Sequence, residues 1–271
     1  NDPAKRYYYT LLFGDKYRVK IATRNVNIPG IQNFRDLGGY PSYSTKKQVR
    51  WGMIYRSAEI DSLECYSRRE LRNLGIKTLI DLRASSETGR QSPLQKEFNV
   101  VHIPLATGDM ENILKGIREE KIKSDTVYRM VEQMNRDLID KYTTEYRQIF
   151  DILLDKNSYP VVIHCSSGKG RTGIVSALVL AALGINEDII MEDYRLSNDY
   201  FNIPSASKDA YQLPARSQEA ITTLFSARED FLNAAKEEAE RRYGDIDSYL
   251  QKGIGLNKDE IKRLRSILLS D

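Results

Sequence analysis

The chain has 271 residues, 41% of them apolar and 29% charged, which is enough apolar material for a real core and is unlike the composition of a disordered chain. A formal net charge of +3 is too balanced to suggest a nucleic-acid partner. Two cysteines, Cys65 and Cys165, exclude a disulfide scaffold and a cysteine-rich zinc module, and two histidines, His102 and His164, leave a metal site short of ligands. The longest apolar run, Ile174 to Leu183, is interrupted by Ser176 and reaches about half a membrane span. A soluble globular protein is expected, without membrane span, metal or cofactor. The first residue is Asn1 rather than Met, from which a trimmed N-terminus is expected, and no signal peptide is legible.

Tyr7 to Phe13, Gly14-Asp15 and Tyr17 to Ala22 read as two strands around a tight turn. Residues 1–26 are therefore set apart as an N-terminal β-hairpin, or the remnant of a preceding β-module, and 27–271 as the main domain. A lone hairpin is marginal in water, so this one should pack on something. Beyond Pro29-Gly30 lies a loop with paired glycines, Asn33 to Tyr40. Val49 to Tyr55 reads as a short strand, Glu64 to Leu74 as a helix stopped by Gly75, and Ile76 to Ile80 as a buried strand ending at Asp81-Leu82-Arg83. Phe98 to Leu105 is another strand. Asp125 to Leu154 carries one long 3.6-residue pattern. Pro160 to His164 reads as a buried strand and Arg171 to Leu183 as a buried helix closed by Gly184. The rest is helical: Asn186 to Ser197, a long charged helix from about Arg216 to Tyr243, and Asn257 to Leu269. This alternation, with continuous apolar strands, predicts an α/β fold. Its mainly parallel central sheet is flanked by helices, with an N-terminal β-hairpin and a helical C-terminal part.

The chemistry concentrates in His164-Cys165-Ser166-Ser167-Gly168-Lys169-Gly170-Arg171-Thr172-Gly173, between an apolar strand and an apolar helix. Ligands of such sheets bind beyond the carboxyl ends of the strands, and the free N–H groups of a helix N-terminus attract anions. A loop of small residues turns its amides around an anion; those amides and Arg171 would stabilise a thiolate at Cys165. Arginine six positions after the cysteine can return to the loop mouth and grip two phosphate oxygens. Together these are the needs of a phosphate monoester cleaved through a phospho-cysteine. A Walker A loop would require glycine where Ile163 stands and Ser or Thr where Gly170 stands, so it is excluded. Gly168, Gly170 and Gly173 match G-x-G-x-x-G literally. The dinucleotide reading nevertheless fails, because the following element, Asn186 to Ser197, reads as a helix instead of a strand. A buried core cysteine in this turn would leave Lys169 and Arg171 unexplained.

The segment resembles the H-C-x5-R-[S/T]-G signature of the cysteine-dependent phosphatases. The fuller form H-C-x-x-G-K-x-R-T-G is similar to that of phosphoinositide phosphatases and of bacterial tyrosine-phosphatase-like enzymes with dual protein and lipid specificity. The second branch is the closer, because Asn33 to Gly39 resembles its N-F-R-D-x-G-G, Gly52 to Ser57 its G-x-x-Y-R-S, and Asp81-Leu82-Arg83 with Glu87 its D-L-R-x-x-x-E. Tyr142 to Arg147 and Asp193 to Asp199 also fit, and the resemblance runs over about residues 27 to 270. One departure is Gly170, where many of the bacterial branch carry aspartate; no role of that carboxylate is carried over.

The resemblance and the chemistry together make Cys165 the nucleophile and Arg171 the clamp on phosphate. Ser166, Ser167, Gly168, Lys169 and Gly170 form the substrate-binding loop, with Thr172 as a donor to the departing sulfur and His164 orienting the loop from below. A leaving group needs a proton. Asp109, the first acid after the strand that precedes the long helix, is the first candidate, and Asp81, at the end of the neighbouring strand, is its rival. Lys169 is expected to add positive charge at the pocket mouth, Arg35 and Asp36 to pair and brace the loop, and the charged helix near Phe225 to cover the site. Cys65 is expected to be incidental. The substrate is expected to be a phosphorylated protein or an inositol-lipid or sugar phosphate, with Lys169 and Gly170 tilting towards the latter. The resemblance implies a secreted or periplasmic setting. The alternatives are a phosphate- or phosphoinositide-binding module with little turnover, and a sulfurtransferase on the same loop.

Overall fold

The computed structural model describes residues 6–61, 63–88 and 93–270. In chain order the strands are β1 (Tyr9–Phe13), β2 (Tyr17–Ile21), β3 (Arg35–Asp36), β4 (Pro41–Ser42), β5 (Lys47–Val49), β6 (Ile54–Ser57), β7 (Thr78–Asp81), β8 (Asn99–His102), β9 (Val161–His164) and β10 (Leu269–Ser270). The helices are α1 (Cys65–Asn73), α2 (Met110–Arg118), α3 (Ser124–Lys141), α4 (Thr143–Leu153), α5 (Gly170–Ala182), α6 (Glu187–Arg195), α7 (Ser197–Tyr200), α8 (Ile203–Ala206), α9 (Ala215–Phe225), α10 (Glu229–Tyr243), α11 (Ile246–Ser248) and α12 (Lys258–Leu268).

The central sheet has the order β3-β6-β9-β7-β8. Its last four members are parallel, and only β3 runs against its neighbour. The mainly parallel sheet read from the sequence is therefore correct. Alternation along each strand divides the core in two. Ile54, Ile80, Val161 and Ile163 face the large cluster that includes helices α3, α4 and α5, whereas Tyr55, Leu79 and Val162 face a smaller one with Leu71 of α1 and Phe34. Both faces are covered, which is why β9 reads as an unbroken apolar run. The parallel register pairs Ser57 and Asp81 with His164, and Asp81 with His102, so the carboxyl ends of four strands line up on one edge.

Three elements differ from the sequence-based expectation. Val49 to Tyr55 is two strands separated by a turn at Gly52 (φ +77°). The pattern from Asp125 to Leu154 is two helices, broken where Tyr142 leaves helical backbone (φ −122°, ψ 26°) and its hydroxyl bonds Ala106 O at 3.0 Å. The charged helix from about Arg216 to Tyr243 is likewise two, α9 and α10. Asn198 satisfies the break from both sides, accepting from Ala227 N at 2.7 Å and donating to Ala227 O at 2.9 Å. In both cases the apolar period continues across the joint, so only the distant partner betrays it.

The hairpin β1–β2 forms as expected and, among the described residues, is hydrogen-bonded to the domain at its base. Lys20 O accepts from Trp51 Nε1 at 2.9 Å and from Gln48 Nε2 at 3.2 Å, while Tyr9, Leu11, Phe13, Tyr17 and Val19 stay exposed. At the other end, β10 pairs with β5, tying the chain's last described residues, Leu269 and Ser270, to Val49 and Gln48.

Candidate active site

Strand β9 delivers Cys165 to the carboxyl edge of the sheet, and the loop closes into α5 at Gly170. Gly168 has φ +69°, and a Cβ there would lie 2.5 Å from the carbonyl carbon and oxygen of Ser57, so no side chain fits. The loop's carbonyls are tied down from outside. Arg56 Nη2 donates to Gly168 O at 2.7 Å, and Asn33 Nδ2 donates to Ser167 O at 3.1 Å and to Gly168 O at 3.2 Å. A loop of small residues anchored through its carbonyl oxygens has its amides free to turn towards an anion.

Arg35 and Asp36 do not pair, because neighbours on a strand point to opposite faces. Arg35 donates to Asn33 Oδ1 and, at 2.7 Å, to Asp193 O, while Asp36 accepts from Gly38 N and Gly52 N, both at 2.7 Å, and from Arg6. The brace is instead Arg56 with Asn33, steadied by Asp193. This buried carboxylate on α6 accepts from Arg56 at 2.7 Å and from Tyr40 Oη at 2.8 Å. Burial works against its charge, but Arg35 and Arg56 outweigh burial and hold its carboxyl below the usual range.

Cys165 is buried, at 1% exposure, beside Arg171 at 5%. Arg171 is aimed by a carboxylate: Nη1 donates to Glu87 Oε2 at 2.5 Å and Nη2 to Glu87 Oε1 at 2.8 Å, with a further bond from Nη2 to Ser166 Oγ at 2.8 Å. Burial opposes the guanidinium charge; Glu87 and Cys165 more than compensate, so its protonation is secured. Cys165, Ser166, Ser167, Lys169, Gly170 and Arg171 line one cavity of about 80 Å³. Its remaining walls are largely apolar, from Met110, Val131, Met134, Leu138, Leu224 and Phe225. The end of α9 thus lies against the loop, with Phe225 stacked on Phe201 at 5.6 Å between ring centres.

Lys169 lines this cavity but does not stand free at its mouth. Its Nζ donates to Leu224 O at 2.6 Å and Ser226 O at 2.9 Å, the carbonyls that the helix break leaves open. Burial pulls its pKa down to about 7, against the attraction of Cys165. A neutral amine still has two N–H donors for those two acceptors. His164 is buried and neutral, pushed to about 4 chiefly by desolvation, with Nδ1 unpartnered. Thr172 Oγ1 is also buried without a partner.

The two candidate acids sit differently. Asp81, 5% exposed, is clamped by Arg83 Nε at 3.0 Å and Nη2 at 2.8 Å; burial alone would raise its pKa, but Arg83 and His164 lower it. Arg83 also holds Asp61 at 2.7 and 2.8 Å. Asp109 is exposed and caps α2, accepting from Asn112 N at 3.0 Å. It lies between Thr107 and Met110, both of which line the cavity. The Glu59 amide donates to Ser166 O at 3.2 Å, and its carboxyl has a pKa raised by burial and by Asp61. Cys65 is exposed at the start of α1 and unbridged. Among the described residues no three His, Cys, Asp or Glu side chains cluster as a metal ion would need, and no helix is long and apolar enough to cross a membrane.

Glu87, Arg56, Asn33 and Asp193 carry no site role in the local sequence pattern, although all four lie inside the motifs that carry the family resemblance.

A cysteine and an arginine six residues apart in a strand–loop–helix turn, on the carboxyl edge of a parallel sheet, define a cysteine-dependent phosphatase. The sequence profile of the tyrosine phosphatase family matches residues 26–270, and the chain belongs to that family. It is 30% identical over 285 aligned positions to the triple specificity protein phosphatase PtpB of Mycobacterium tuberculosis, covering 89% of this chain and 98% of that one. A Cupriavidus necator protein classed as a tyrosine-protein phosphatase is 25% identical over 238 positions, 86% of this chain and 85% of its own. A tyrosine-protein phosphatase of Nostoc commune is 25% identical over 221 positions, 78% of this chain and 72% of its own.

Proposed function

We propose that Cys165 attacks the phosphorus of a phosphomonoester, forming a phospho-cysteine that water then hydrolyses, and that phosphotyrosine is the favoured substrate. The observation that carries this reading is Arg171, held by Glu87 beside Cys165 at the bottom of the small cavity. Its guanidinium and the loop amides of Ser166 to Gly170 oppose the charge that develops on the equatorial oxygens. The unpartnered Thr172 hydroxyl is available to donate to the sulfur as it departs. Asp109 protonates the leaving oxygen. It sits between two cavity-lining residues and accepts, at the exposed cap, only from the neutral Asn112 N and Nδ2 at 3.0 and 2.5 Å, whereas Asp81 is clamped as a carboxylate by the Arg83 guanidinium and acts as a positioning residue.

The walls favour an aromatic leaving group over an inositol phosphate. Met110, Met134, Leu224 and Phe225 suit a ring. Among the described residues the two cations that line the cavity, Lys169 and Arg171, are already bonded, leaving neither of them free for a second phosphate. Phosphotyrosine therefore ranks ahead of the inositol lipids and sugar phosphates towards which Lys169 and Gly170 tilt the sequence.

Phosphate release by the wild type and Cys165→Ser, in chelator, on a phosphotyrosine peptide, a phosphoserine peptide and a phosphoinositide tests the reading. Turnover that survives chelator, vanishes in the variant and is fastest on phosphotyrosine is expected. Turnover unaffected by Cys165→Ser overturns the mechanism; a faster phosphoinositide overturns the substrate ranking.

A further inference from the structure

A second cavity, about 410 Å³ in volume, runs along α5 between α6, α10 and the segment Asp245–Asp247, and it shares no lining residue with the cavity over Cys165. Beyond Arg171, α5 carries no charge, and apart from the buried Thr172 and Ser176 its side chains are apolar. A helix of that kind needs cover all round. Here Ala177 and Ala181 are only half-buried, and their small side chains form the cavity floor while Leu178, Ile190, Met191 and Leu232 form its walls. The volume falls in the range of sites that enclose a small ligand, about 300–1,000 Å³, and the lining has their character, apolar with a few polar groups.

Those polar groups are at the mouth and are mostly acidic. Lys236 is taken by Glu187 at 2.5 Å and lies 3.8 Å from Glu240. Asp245 accepts from Ser248 N at 2.6 Å, which holds its carboxyl low even before Lys252 adds its attraction. Asp247 is exposed. Glu187, Asp245 and Asp247 against Lys236 leave the lining with two negative charges in excess.

We propose that this cavity binds a small cationic amphiphile, with an alkyl or aryl body over Ala177 and Ala181 and an ammonium head at Asp245 and Asp247. The site is independent of the Cys165 chemistry. An anionic amphiphile of the same length would place its head against like charge. Each methylene that enters should raise affinity about fourfold until the cavity is full.

Calorimetric titration of the whole protein with hexyl-, octyl- and decyltrimethylammonium, octanoate and tetramethylammonium tests this. Expected are saturable binding of one alkylammonium per chain, affinity rising with chain length, octanoate at least tenfold weaker and no binding of tetramethylammonium. Ala181→Phe or Ala177→Leu, which fill the floor, should abolish binding while the thermal midpoint holds or rises. Asp247→Asn should weaken octyltrimethylammonium about two- to fivefold, as expected for an exposed charge pair. Absence of saturable binding, equal affinity for octanoate, or full binding by both filled variants with intact melting overturns the proposal. Should the filled variants fail to fold, unchanged octyltrimethylammonium affinity in Asp247→Asn overturns it alone.

Discussion

Glu87→Gln separates the aiming of Arg171 from its mere presence. In the wild type the carboxylate takes both terminal nitrogens of the guanidinium, at 2.5 and 2.8 Å. Glutamine keeps one acceptor and loses the second bond and the charge. A hydrogen bond to a charged group contributes about 1.5–3 kcal/mol net. The Glu87 side chain is 28% exposed, so solvent screening discounts this. About 1–2 kcal/mol should remain, corresponding to a fall of about 5- to 30-fold in kcat/KM. The assay is kcat/KM on p-nitrophenyl phosphate beside inhibition by vanadate, with the thermal midpoint as control. Because Arg171 acts on phosphate, vanadate should weaken along with kcat/KM while the midpoint moves little. A kcat/KM within twofold of wild type, or tighter vanadate binding in the variant, would refute the reasoning: Glu87 would then be a competitor for the arginine and not its guide.

Gly168→Ala should cost about 1–3 kcal/mol of stability and most of the activity, because the added methyl meets the Ser57 backbone in a left-handed conformation; Gly170→Ala, with open space around it, should retain both, and denaturation with p-nitrophenyl phosphate turnover compares the two. Asp193→Ala strands two buried arginines and should destabilise the fold by about 3–5 kcal/mol. Since the folded carboxyl is held low, the wild type's advantage is present above about pH 3.9 and is lost as pH falls through the folded value, which urea denaturation across pH would follow. Lys169 has the opposite sign: its folded value, about 7, lies below the unfolded value of about 10.4, so the unfolded chain holds the extra proton between them and stability rises with pH across that window. Lys169→Met should flatten that rise; an unaltered slope would show that another group sets it. Asp109→Asn should slow an alkyl phosphate more than p-nitrophenyl phosphate, whose leaving group needs little protonation, while Asp81→Asn slows both alike; the reverse order in steady-state rates would exchange their roles.

The phosphate loop was legible because everything it needs is contiguous. An apolar strand, small residues and an apolar helix lie within the stretch from Val161 to Ala182, and the six-residue step from Cys165 to Arg171 lies wholly within the loop and the first residues of α5. The sheet was legible for a similar reason: burial on both faces writes unbroken apolar runs, and strands read as alternating with helices predict parallel order. What could not be read was which distant side chain arrives at each polar group. Glu87 meets Arg171 across 84 positions and Asp193 meets Arg56 across 137, so neither role is visible in any local pattern. Lys169 looked like a solvent-facing cation until α9 stopped at Phe225 and presented two open carbonyls to it. The stops themselves, at Tyr142 and at Ser226 to Arg228, interrupt an apolar period that sequence continues without a gap, because the period records only which face is buried. Local sequence determined the elements and the reacting loop. Tertiary packing decided where the helices break, which charges are buried, and that the arginine beside Cys165 has a carboxylate to aim it, because those depend on the free energy of groups brought together from far along the chain.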